Sequence, residues 1–110
     1  MPTNRDGQDG RAYPRVRLRD AVEVRVATGV YDCHLVDISG GGALIESRTY
    51  PPIGEAVTLR LRDVGQLKAT VVRHVPGGFA VAFYISAETR TRLLAHFEAA
   101  FAAASDARKP

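Results

Sequence analysis

The sequence holds a single cysteine, Cys33, so no internal disulfide can staple it, and a reducing compartment fits. It lacks any apolar run long enough to span a bilayer, and no apolar h-region follows Met1. A cytoplasmic protein without membrane insertion is expected. Charge of one sign is also scarce. The formal net charge is +3, too small for a protein that coats nucleic acid. Paired carboxylates suited to acid–base catalysis are missing, because Glu23, Glu46 and Glu55 read as solvent-facing strand or loop residues. Cys33 and His34 fall on opposite faces of a strand and cannot share a metal, while His74 and His96 show no ligand spacing. Ser39 has no neighbouring base in sequence. The expectation is no enzyme, no metal and no cofactor.

What is present is an ordinary amount of apolar residue, 45 % of 110 residues, enough for one domain with one modest core. Residues 1–10 have nothing to bury and should form a disordered N-terminal tail. Val22, Val24 and Val26 alternate with Glu23 and Arg25, the pattern of a half-buried strand. Tyr31 to Ile38, Ala43 to Ser47, Val57 to Leu61, Leu67 to Val75 and Phe79 to Ile85 read as five more strands. The breaks between them carry Gly29, Pro51, Pro52, Gly54, Gly65 and the Pro76-Gly-Gly78 turn. Ser86 is a good N-cap for a closing helix with Glu88 in its first turn. Leu93, Leu94, Phe97 and Phe101 form an apolar stripe. Glu88 and Arg92 are spaced as an i,i+4 pair. The alanines at 99, 100 and 102–104 carry the helix on, and residues 105–110 should fray. Six short strands and one helix predict a mainly β fold, a small antiparallel barrel, with the domain spanning 11–104.

The chain is organised around Asp37-Ile38-Ser39-Gly40-Gly41-Gly42. Three glycines permit positive φ and close approach of the backbone to a ligand. Asp37 and Ser39 stand two residues apart, so at a strand end both would face one side and suit one ligand edge, such as guanine N1–H and N2–H₂. A phosphate loop is excluded, since strand-like Ala43-Leu44-Ile45-Glu46 follows and no Lys does. A nucleophile elbow would need Gly where Asp37 stands. A glycine-rich hairpin whose Asp and Ser cap their own turn remains open.

Arginine is concentrated at the start, with Arg5, Arg11, Arg15, Arg17, Arg19 and Arg25 in the first quarter. Its planar fork suits phosphate and guanine O6/N7. Pro14 keeps Tyr13 out of the helical region, so 11–15 reads as extended. Arg11 and Arg15 then lie about 13 Å apart at roughly 3.3 Å per residue. A solvated tail is the plainer alternative.

Together, Arg11-x-x-x-Arg15 and Asp37-x-Ser39-x-x-Gly42 resemble the two-part signature of PilZ domains. Pro52-Ile-Gly-Glu55 and Pro76-Gly-Gly-Phe79-Ala-Val-Ala-Phe83 look similar too. Arg15-Val-Arg-Leu-Arg19 also fits the first half, but Pro14 before Arg15 favours the earlier register. Gly10 stands where many members carry another Arg. The resemblance implies a bacterial protein, a six-stranded PilZ-like barrel with a C-terminal helix that binds cyclic di-GMP. It assigns Arg11, Arg15, Asp37, Ser39 and Gly42 to the ligand, with the arginine arm folding over the barrel and a downstream protein reading the change. Two rivals stand beside it. One is a PilZ-fold protein–protein module without ligand. The other is a single-stranded nucleic-acid-binding barrel, for which only Tyr13 and Tyr31 could serve as stacking platforms.

Overall fold

Apolar residues at every second position build most of this molecule. The computed structural model describes residues 15–100 and 102. Strands β1 (Val16–Val26), β2 (Gly29–Ile38), β3 (Gly42–Glu46), β4 (Ala56–Leu61), β5 (Gly65–Val75) and β6 (Gly78–Phe83) precede helix α1 (Ala87–His96). They pair antiparallel in the order β1-β2-β3-β6-β5-β4, and β4 returns to β1 to close the barrel. The expected six-stranded barrel with a C-terminal helix is therefore what forms. Closure gives every strand two neighbours, with the β1–β4 seam paired over Glu23–Arg25.

Inward residues of all six strands share one buried cluster. Leu35, Ile38, Ile45, Leu59 and Leu67 are wholly buried within it, and Phe79 nearly so. Helix α1 adds Leu93, also wholly buried, and Phe97 from its C-terminal end. Burying a side chain such as Leu93 stabilises by about 1.5–3 kcal/mol relative to exposing it. Ser86 caps the helix, its hydroxyl accepting from the Thr89 N–H at 3.0 Å.

Several boundaries differ from expectation. Strand β1 begins at Val16, six residues before the alternation becomes readable, because its register is irregular between Arg17 and Asp20. Strand β6 ends at Phe83, and Ile85 packs against the core from beyond it. The helix does not run unbroken into the alanines. Phe97 turns out of it with φ −103° and ψ 17°, and residues 98–100 resume helical geometry. Among the described residues no ion pair joins Glu88 to Arg92. In water such a pair is worth only a few tenths of a kcal/mol. Arg11, Tyr13, Phe101 and the tails expected at 1–10 and 105–110 lie outside the described residues.

Candidate functional site

Two β-bulges decide which side chains face outward at the candidate site. In β2, Cys33 and Leu35 are inward and buried, so strict alternation would turn Asp37 inward as well. The pairing with β3 slips between Leu35 and Asp37, leaving Val36 as the extra residue. Asp37 therefore emerges on the outer face, opposite Leu44. In β5 the same device recurs. Val71 is buried, the register slips before Arg73, and both Val72 and Arg73 reach the surface.

Arg15 meets Asp37 there as a fork. Its Nε donates to Oδ1 at 3.3 Å and its Nη2 to Oδ2 at 3.1 Å. The carboxylate is only 16 % exposed while the guanidinium side chain is 55 % exposed. Asp37 thus orients an arginine whose remaining N–H groups still face solvent. Arg19, the alternative second arginine of the motif, is held elsewhere. Its Nη1 lies 2.8 Å from Glu46 Oε1, beside His34.

Ser39 and Gly42 act locally. The Ser39 hydroxyl accepts from the Gly41 N–H at 3.2 Å and donates to the Gly42 carbonyl at 3.4 Å. The Ser39 N–H reaches that same carbonyl at 2.9 Å. Ser39 therefore braces the turn, as in the capped-hairpin alternative. Of the freedoms that glycine permits, positive φ is used among the described glycines at Gly54, Gly65 and Gly77 and not in the Gly40–Gly42 run. Gly42 is needed for close approach instead. A Cβ on it would be driven into the Val81 carbonyl oxygen of β6. Gly78, at the other end of the same strand pair, would meet the Ile45 carbonyl oxygen in the same way.

The β2–β3 turn is tied down from two sides. Phe83 N–H donates to the Gly41 carbonyl at 2.9 Å, and Arg90 Nε of α1 donates to the Gly40 carbonyl at 2.9 Å. Beside this turn lies a shallow cleft of about 120 Å³, bordered by Arg15, Ser39, Leu44, Val72, Arg73 and Ala80. Arg73 escaped the sequence reading. The readable signal was Val71-Val72-Arg73, where two adjacent apolar residues break the alternation that a bulge interrupts. Larger hollows of about 470 and 570 Å³ exist, but Asp37, Ser39 and Gly42 line neither.

Other residues raised by the sequence have structural roles. His74 Nε2 lies 2.7 Å from the Pro51 carbonyl, and its ring meets Tyr50 edge-on. Tyr31 packs partly buried against the core, and among the described residues the most exposed aromatic is Tyr84 at 81 %. Cys33 is buried, and that burial pushes its thiol pKa up; a hydrogen bond with Ser47 opposes the shift and Asp32 adds to it. Among the described residues no group of three or more His, Cys, Asp or Glu could hold a metal ion, and no helix is long and apolar enough to cross a membrane.

A family model for the PilZ domain matches residues 9–99. The PilZ domain of CeSA from a cellulose-synthesizing bacterium is similar in structure, with a TM-score of 0.64 and 23 % identity over 76 % of this chain and 97 % of its own. PlzA of Borreliella burgdorferi, solved in complex with c-di-GMP, gives 0.64 and 17 % over 86 % of this chain and 44 % of its own. The PilZ domain of Escherichia coli YcgR with c-di-GMP gives 0.54 and 18 % over 89 % and 97 %. At these identities the structural likeness establishes the fold. No curated protein matches the sequence.

Proposed function

The chain belongs to the PilZ domain family, and from that premise we propose that it is a receptor for cyclic di-GMP acting as an adaptor and not as a catalyst. The observation that carries this reading is the Arg15–Asp37 fork on the outer face, next to the braced Ser39–Gly42 turn and the cleft beyond it. An oriented guanidinium suits both a phosphate and the O6/N7 edge of guanine. Solved relatives hold c-di-GMP, which supports the choice of ligand.

The cleft is too small to enclose a dinucleotide, since pockets that bury such ligands run to hundreds of Å³. The ligand therefore lies against the barrel and needs a cover. Arg11, four residues before Arg15, supplies a second guanidinium on an arm that folds over the bound molecule. Ordering that arm costs affinity but changes the surface a partner protein meets. Arg15 and Arg11 grip the ligand, Asp37 aims Arg15, and Ser39 and Gly42 shape the turn against which it rests.

Titration calorimetry tests this. Cyclic di-GMP should bind and raise the melting temperature while GTP and cyclic di-AMP do not. Arg11→Ala and Arg15→Ala should each lose about 1–3 kcal/mol, roughly 5- to 150-fold in affinity. Unchanged affinity in both variants would remove the clamp, and absence of wild-type binding would remove the receptor.

A further inference from the structure

Resting on that receptor reading, we propose that Arg73 is a further ligand-contacting residue that sets base specificity. Its guanidinium takes the O6/N7 edge of a guanine whose face lies on Leu44 and Ala80. The strand register carries the argument. Asp37 pairs with Leu44, Leu44 with Ala80, and Ala80 with Arg73, so one row crosses β2, β3, β6 and β5 on the outer face. Three inter-strand steps of about 4.8 Å put Arg73 some 14 Å from Asp37 along that row. The Arg15–Asp37 fork stands at one end and Arg73 at the other, with the cleft between them.

The floor between the ends selects the kind of group that sits there. Half-buried Leu44 and exposed Val72 offer apolar surface, and the short, buried Ala80 lets a flat ring come close to the sheet. The hydroxyl that borders the cleft, that of Ser39, already donates to the Gly42 carbonyl and is not free for a phosphate, whereas a purine face loses little by leaving water. A base lying there turns an edge toward β5. Arg73 is exposed, and among the described residues no carboxylate pairs with it, unlike Arg15 and Arg19. Its fork matches the two acceptors of guanine, while adenine presents a donor at the same edge. The bulge at Val72 is what aims it outward, the re-aiming that bulges perform beside binding sites.

The test is calorimetry on the full chain with cyclic di-GMP and cyclic di-AMP, using wild type, Arg73→Ala and Arg73→Lys, with urea midpoints alongside. Both variants should keep the wild-type midpoint and lose roughly 5- to 150-fold in cyclic di-GMP affinity, because a lysine point charge cannot replace the fork. The preference over cyclic di-AMP should narrow in both. Wild-type affinity in Arg73→Ala, full rescue by lysine, or an unchanged preference between the two dinucleotides would each overturn the assignment while leaving the receptor standing. A wild-type chain that binds no cyclic di-GMP would overturn both.

Discussion

Arg90 Nε donates to the carbonyl of Gly40 at 2.9 Å, joining helix α1 to the β2–β3 turn fifty residues away in sequence. The turn that rests beside the cleft is thus fastened to the last helix of the barrel, and any ligand that shifts the Gly40 peptide pulls on that helix. Arg90→Ala should cost about 1.5–3 kcal/mol, the range for a hydrogen bond that involves a charged group. Amide exchange at Gly41 should quicken in the variant. Exchange as slow as in wild type would mean that the turn's own hydrogen bonds suffice to hold it.

The Arg15–Asp37 pair should matter far more for ligand than for folding. Arg15 is more than half exposed, so the pair is worth at most about 1 kcal/mol of stability. Asp37→Asn should leave the urea midpoint nearly unchanged yet weaken cyclic di-GMP about tenfold by releasing the guanidinium from its orientation. If Asp37 acts through Arg15, the double variant Asp37→Asn/Arg15→Ala should bind no worse than Arg15→Ala alone. Additive losses would assign Asp37 a ligand contact of its own.

Glycine substitutions should separate crowding from conformation. Gly42→Ala and Gly78→Ala each press a methyl against the backbone carbonyl of a neighbouring strand, which cannot swing aside as a side chain can. Each should destabilise by about 1–3 kcal/mol or more, the usual cost of overpacking. Gly29→Ala is the matched control. It also lies in a strand, and its added methyl would meet only the Tyr31 hydroxyl end, at 3.8 Å. Thermal melts of the three variants check the ranking, and a Gly42→Ala chain as stable as Gly29→Ala would contradict it.

Cys33 makes stability depend on alkaline pH. Burial raises its pKa above the ordinary value near 8.5, so the unfolded chain loses the thiol proton before the folded one does. Above pH 8.5 the folded state then binds more protons, and stability falls as pH climbs from the unfolded pKa toward the folded one. Urea midpoints between pH 7 and pH 10 should show this decline in wild type and a shallower one in Cys33→Ala. The same burial should slow alkylation by iodoacetamide until the chain is unfolded.

Much of this molecule was legible in the order of its residues. Period-two alternation and apolar runs marked six strands, prolines and glycines marked the breaks between them, and Ser86 marked the helix start. The same local chemistry singled out Asp37, Ser39, Gly42 and the early arginines. These signals survive in sequence because each depends on a residue and its near neighbours.

Tertiary structure alone decided where the side chains point and what they touch. Whether Asp37 or Arg73 faces the core or the solvent turns on a single unmatched residue, Val36 or Val72, and a bulge exists only relative to the partner strand it fails to match. Pairing across the barrel then brings β2 and β5 residues into one row, puts Gly42 against Val81, and lets Arg90 reach Gly40. Such relations arise from register between strands distant along the chain, which local propensity does not encode.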